Sequence, residues 1–285
     1  MKHVLVTGAS TGIGYATCVE LLKRGFSVFG SVRNPPDAER LAKTFGSGFT
    51  PLVFDVTQEE GIRESAARVG EAVGKDGLWG LVNNAGISLP GPLSEIPASQ
   101  LQKHLDVNVT GVFRVTQAFL PLLKTRPGRP HPPGRIVNIS STSGRIAFPF
   151  MGPYTASKHA LEALSDAWRR ELMPWGVEVI VIQPGAIVTP IWDKASYISS
   201  AFSESPYGRI LKHVDLMESK RNAVPVEKVA QLIEHVLSCP RPRVRYAITR
   251  QRLKYWLGPK YLPDRWLDMA IARVMRMGRN HDLDR

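Results

Sequence analysis

The chain has 285 residues, 43% hydrophobic and 22% charged, an ordinary globular balance that can build a large core without disulfides or a structural metal. Cys18 and Cys239 lie far apart with no CxxC spacing, which excludes a disulfide scaffold and a cysteine-based zinc site and fits a reducing compartment. The net charge of +12 is uneven: residues 241–285 hold 12 Lys/Arg against 4 Asp/Glu, a local excess of +8.

The first strand, Val4–Val6, begins almost at the first residue, and with no longer apolar stretch or small-residue cleavage site before it no signal peptide is expected. Ser27–Val32, Leu52–Phe54, Leu78–Val82, Ile136–Ile139, Val177–Ile182 and Val244–Ile248 read as further strands. They are short, Val- and Ile-rich and almost continuously apolar, as strands covered on both faces must be. Helical periodicity fills the intervals at Ile13–Arg24, Thr57–Val73, Ala98–Thr125, Tyr154–Met173 and Val226–Leu237, with Thr57 and Glu60 spaced as a capping box. This alternation predicts an α/β fold: a doubly wound, Rossmann-like parallel sheet with helices on both faces. A Pro/Gly-rich loop is expected at 126–135 and a substrate lid at 190–223. One Rossmann-like domain is expected over 1–250, with 251–285 as a C-terminal extension. There Trp266, Leu267, Ala270, Ile271, Val274 and Met275 recur at helical spacing beside Arg265, Arg273, Arg276 and Arg279, with Pro263-Asp264 as the helix start. Such a stripe packs on protein or lies in an anionic membrane interface. No run reaches the roughly 18 apolar residues of a spanning helix, so the expected location is cytoplasmic, with peripheral membrane contact through this helix as a further expectation. A basic tail also suits nucleic acid, but no nucleic-acid module is recognisable and none is expected to bind.

Strand one runs into Thr7-Gly8-Ala9-Ser10-Thr11-Gly12-Ile13-Gly14 and then a helix. Glycines there permit a tight turn and bring backbone N–H groups to a pyrophosphate at the helix N-terminus. No Gly-Lys-Ser/Thr follows, so it is not a P-loop. At the end of strand two an acid would bind the ribose 2′-OH and select NAD(H). This chain instead has Val32 and Arg33, and the guanidinium suits a 2′-phosphate, so NADP(H) is expected in preference to NAD(H). Tyr154 and Lys158 stand at i and i+4, on one helical face, and Ser141 follows strand five. An ammonium lowers a nearby phenol, and a strand-end hydroxyl can hydrogen-bond a carbonyl oxygen. Together they describe proton transfer at a substrate oxygen while a nicotinamide exchanges hydride.

Five motifs in order, TGASTGIG (Thr7–Gly14), Asp55-Val56, NNAG (Asn83–Gly86), Ser141 with Tyr154-Thr-Ala-Ser-Lys158, and Pro184-Gly185, make the first 250 residues resemble the short-chain dehydrogenase/reductase family. The resemblance implies that Tyr154 is the general acid–base, that Lys158 binds the nicotinamide ribose, that Ser141 orients the substrate oxygen and that Asn108 holds a relay water. It places Ser10 and Thr11 near the phosphates, Asp55 at the adenine, and Asn83, Ala85 and Gly86 along the adenosine. Ile187 and Thr189, after Pro184-Gly185, would hold the carboxamide. It implies a homodimer or homotetramer built on helices Ala98–Thr125 and Tyr154–Met173. Residues 29–33 look most like members acting on steroids and retinoids. Leu89, Leu93, Ile146, Phe148, Met151, Ile191, Trp192 and Phe202 fall around the expected pocket, and their apolar character favours a lipophilic ketone or secondary alcohol as the small-molecule substrate. A cofactor-binding scaffold or regulatory protein of the same fold is the alternative. Loss of the tyrosine or the lysine would favour it, and both are present.

Overall fold

The computed structural model describes residues 1–125, 128, 130–187, 201–213, 223–250, 258–275 and 277. Seven strands, β1 (His3–Val6), β2 (Ser27–Val32), β3 (Phe49–Val53), β4 (Gly80–Asn83), β5 (Arg135–Ile139), β6 (Glu178–Pro184) and β7 (Arg245–Ile248), form one sheet in the order β3-β2-β1-β4-β5-β6-β7. Every neighbouring pair is parallel. The order reverses between β1 and β4, which opens a crevice beyond their carboxyl ends, where such sheets bind ligands.

The pleat sends alternate residues of each strand into two separate cores. Val4, Val6, Val28, Val137 and Ile182 pack with Cys18 and Leu21 of helix α1 (Gly12–Lys23) and with Val229, Ile233 and Val236 of the helix Val226–Ser238. Leu5, Phe29, Leu81, Ile136 and Val179 point the other way, onto Ile62 and Val69 of α3 (Glu59–Val73) and Val115 and Phe119 of α5 (Gly111–Leu123).

Four local readings need correction. Helix α2 (Pro35–Phe45) was not expected. It buries only Ala38 and Leu41, too few to show a period, and is started by Pro35 and by Asn34, whose side chain accepts from Asp37 N at 2.9 Å. β3 begins at Phe49, three residues before the apolar run that suggested it. The capping box does not form: Gln58 is the N-cap, and the Thr57 hydroxyl donates instead to Asp55 Oδ1 at 2.8 Å, a charged acceptor two residues away. The stretch read as one helix over Ala98–Thr125 is three pieces. α4 (Ala98–Leu105) passes into a π-helical turn at Asp106–Thr110, where Gly111 N bonds Asp106 O, before α5 begins. Residue 111 must be small where the turn ends, because a Cβ there would stand 2.8 Å from Val56 Cγ2.

The expected tail helix runs Asp264–Met275. Its stripe divides: Leu267, Ile271 and Met275 are half-buried, while Trp266, Ala270 and Val274 are exposed. Arg276 and Arg279, the loop positions 126, 127 and 129, and most of the lid at 190–223 lie outside the described residues. No helix among the described residues is long and apolar enough to cross a membrane.

Candidate active site

The glycine turn sits at the switch point. Thr7 follows β1, and its Oγ1 accepts from Asn84 N at 2.9 Å and Ala85 N at 3.0 Å, which pins the end of β1 to the end of β4. Gly8 and Gly12 have φ of +68° and +57°, the left-handed region open to glycine. Gly14 has ordinary dihedrals but no room: a Cβ would overlap the Gly8 carbonyl oxygen and stand 2.5 Å from Asn84 Nδ2. Thr11 is the N-cap of α1 without a side-chain cap, and the first turn, which holds Ile13, contains no acid. The positive end of the helix is therefore open to an anion, with Ser10 half-buried and Thr11 exposed at its edge. A cradle that a Cβ would fill, backed by an uncapped helix start, fits a dinucleotide's phosphates.

At the tip of β2, Val32 is buried and Arg33 exposed. A second guanidinium, which sequence reasoning missed, stands nearby. Arg40 donates to Ser10 O at 3.1 Å and pairs with Asp37 Oδ1 at 2.7 Å. That hydrogen bond, more than any other contact, holds the Asp37 carboxyl below its usual range, and Arg33 adds to the effect. Two arginines thus flank the place where an adenosine ribose would lie. Nothing in the spacing of Arg40 signalled this, since it rests on a contact across 30 residues.

Helix α6 (Gly152–Glu171) follows β5 and carries Tyr154 and Lys158 on the face turned to the sheet. Lys158 is 6% exposed, and its Nζ donates to Ile139 O at 2.8 Å, which ties it to the end of β5. Nζ lies 5.7 Å from the Tyr154 ring centroid. Burial pushes the Tyr154 phenol up, and its hydrogen bond with Ser141 opposes that. Burial pushes Lys158 down to about 8, against the pull of Glu162. Ser141 is buried at the end of β5. Its Oγ accepts from Ser143 N at 3.1 Å and donates to Pro184 O at 3.4 Å. Asn108 occupies the π turn, fully buried. Its Oδ1 accepts from Ile87 N at 2.8 Å, and its amide donates to Ile87 O at 3.0 Å and Ser157 Oγ at 2.9 Å. Both amide hydrogens are therefore committed, and any relay water must meet an oxygen of Asn108.

The other expected cofactor residues differ in how free they are. Asp55 Oδ1 accepts from Thr57 N and Thr57 Oγ1, so this oxygen shapes its own turn. Val56 is buried beside Gly111. The Asn83 amide bonds Thr116 Oγ1 at 3.1 Å and Asn138 Oδ1 at 2.9 Å, inside the sheet, which leaves Ala85 and the exposed Gly86 as the accessible part of that motif. Gly185 N donates to Ile248 O, and Ile187 is 5% exposed in the core. Thr189 lies outside the described residues.

Of the residues expected to line the pocket, Ile146 is buried, and Leu89, Phe148, Met151 and Phe202 are half-buried. Leu89 is anchored by a buried histidine, His104, whose Nε2 accepts from Leu89 N at 3.0 Å while Nδ1–H donates to Gln100 O at 2.7 Å. Phe150 takes φ +66° and packs edge-on against Tyr207, ring centroids 5.6 Å apart, a pair not anticipated. The exposed Leu93 lines a depression of about 390 Å³ between α4 and α6, with Ile96, Pro97, Leu101, Pro153 and Ala156. Ile191 and Trp192 lie outside the described residues.

Comparison with known proteins agrees with this architecture. Residues 2–197 match the short chain dehydrogenase family. The chain is 38% identical over 278 residues to an NADPH-dependent 3-dehydrocapnine reductase of Ornithobacterium rhinotracheale, covering 97% of this chain and 98% of that one. It is 34% identical to retinol dehydrogenase 16 of Mus musculus, covering 95% and 87%. A short-chain dehydrogenase structure from Streptomyces avermitilis superposes with a TM-score of 0.75 at 26% identity over 98% of each chain.

Proposed function

The chain belongs to the short-chain dehydrogenase family, and on that premise we propose that it is an NADP(H)-preferring oxidoreductase that interconverts a lipophilic ketone and its secondary alcohol. The observation that carries this reading is the grouping of Tyr154, Ser141 and Lys158 at the end of β5, beside a glycine turn shaped for a dinucleotide. The nicotinamide cofactor, when bound, supplies or accepts hydride.

The protein's own residues handle the proton. In reduction, Tyr154 gives its phenolic proton to the substrate oxygen; in oxidation, it takes the proton back. Ser141 holds that oxygen by a hydrogen bond once its single hydroxyl proton turns from the long, 3.4 Å contact with Pro184 O. Because burial disfavours the tyrosinate, the Lys158 charge must offset it. Lys158 has two N–H donors beyond the one given to Ile139 O, enough to hold ribose hydroxyls as well.

Support for NADP(H) comes from Arg33, exposed just past β2 where Val32 stands in the place of a strand-end acid, from Arg40 nearby, which also balances the charge of Asp37, and from the NADPH-dependent relative. Support for a lipophilic substrate comes from the retinol dehydrogenase relatives. The test is a panel of lipophilic and sugar-like ketones and alcohols with each cofactor, followed at the nicotinamide absorbance. Turnover of lipophilic compounds with NADPH is expected. Turnover confined to polar compounds, or no turnover with either cofactor, would reject the proposal.

A further inference from the structure

One turn beyond Lys158 on α6, Glu162 is 7% exposed and takes no part in the proposed chemistry. Its Oε1 accepts from Gln183 Nε2 at 2.9 Å, and its Oε2 accepts from Arg245 Nε of β7, also at 2.9 Å. Arg245 Nη2 reaches Asp166 Oδ1 at 2.8 Å, and Arg169 Nη2 reaches the same oxygen at 3.3 Å. Charges therefore alternate outward from the catalytic lysine: Lys158, Glu162, Arg245, Asp166, Arg169. The turn after Ser141 is pressed onto this row, for a Cβ on Gly144 would stand 3.0 Å from Glu162 Cγ and 3.2 Å from Lys158 O. Gln183 precedes Pro184, whose carbonyl accepts from Ser141. The row thus begins at the lysine and is linked to the serine through Gln183 and Pro184.

A buried ion pair is a poor source of stability, since apolar residues of similar size often serve as well. A carboxylate in this position does have an electrostatic use. We propose that Glu162, fixed by Gln183 and Arg245 one helical turn from Lys158, is a positioning residue that keeps the Lys158 ammonium charged beside Tyr154. Its consequence for catalysis rests on the oxidoreductase reading; the coupling of the two charges does not.

Among the described residues, the charged and titratable groups near Lys158 are Tyr154 and Glu162 of α6, with Arg245 of β7 and Asp166 behind Glu162. Burial lowers Lys158 and Glu162 raises it. Glu162→Gln removes the raising charge, so Lys158 should lose its proton at lower pH. Arg245→Met removes the counter-charge of Glu162, so Lys158 should keep its proton to higher pH. Residues that merely support the fold would disturb the site in the same sense in both variants.

The experiment uses the full-length chain without cofactor. Lys158 is labelled competitively with acetic anhydride across a pH series, and its midpoint is read by mass spectrometry. Glu162→Gln should move the midpoint down by about one pH unit and Arg245→Met should move it up, the scale of a nearby charge. Arg245→Lys should leave it near the wild-type value. Circular dichroism checks folding, and the Arg245 pair carries the test should Glu162→Gln not fold. Midpoints that stay put, or move together, overturn the inference. Opposite shifts in a protein that binds no NADPH uphold the coupling and reject the oxidoreductase reading instead.

Discussion

Replacing Gly14 by Ala adds one methyl where the structure has least room. The new Cβ would stand 2.5 Å from Asn84 Nδ2 and 2.9 Å from the Gly8 carbonyl carbon. An ordinary contact needs about 3.5 Å, so the turn or Asn84 must yield by about 1 Å. Asn84 cannot yield freely, because its Nδ2 donates to Thr7 O at 2.9 Å and to Gly8 O at 3.2 Å. Overpacking of this kind costs about 1–3 kcal/mol, a fall in Tm of roughly 2–4 °C per kcal/mol for a domain near this size. The effect on binding should be larger. N–H groups displaced by about 1 Å from a phosphate leave hydrogen-bonding range, and each charge-assisted bond is worth about 1.5–3 kcal/mol. Losing one such bond predicts NADPH binding weaker by about tenfold to a hundredfold, measured by quenching of tryptophan fluorescence and set beside the Tm from a thermal melt. A Gly14→Ala protein that binds NADPH like the wild type would refute the cradle, whatever its Tm.

The strands were legible because a parallel sheet covered on both faces leaves almost no polar residue within them, as the wholly buried run at Val4–Val6 illustrates. Tyr154 and Lys158 were legible because a helix turns a spacing of four into a shared face. Helix α2 was not, since two buried residues make no period. Nor was the π turn, because it shows only in the backbone bond from Gly111 N to Asp106 O, five residues back, which no residue type in Asp106–Thr110 announces. Thr7, Arg40 and Glu162 act through partners 77, 30 and 83 positions away, and only the fold brings those partners within reach. Local chemistry can thus be read along a chain, whereas the groups that position it depend on topology.

Tyr154→Phe keeps the ring and removes the proton; turnover should fall about 100-fold or more while NADPH still binds, and near-normal turnover would dismiss the tyrosine as acid–base. Arg33→Ala should weaken NADPH about tenfold or more and leave NADH nearly unchanged, by titration with each cofactor; equal losses would mean that Arg33 holds structure and not phosphate. The tail helix offers the last prediction. Trp266 is 63% exposed, Met269 62% and Val274 62%, on a helix with Arg265 and Arg273 exposed beside them. Leu267, Ile271 and Met275 are half-buried, so protein covers only part of the apolar surface. An exposed tryptophan flanked by arginines suits the headgroup region of an anionic bilayer, where each basic residue contributes about 1 kcal/mol at most. The chain should therefore float weakly with anionic vesicles at low salt and be released at high salt, and Trp266→Ala with Met269→Ala should abolish the flotation. Failure of the intact chain to float at low salt would remove the membrane reading and leave the stripe to packing on protein.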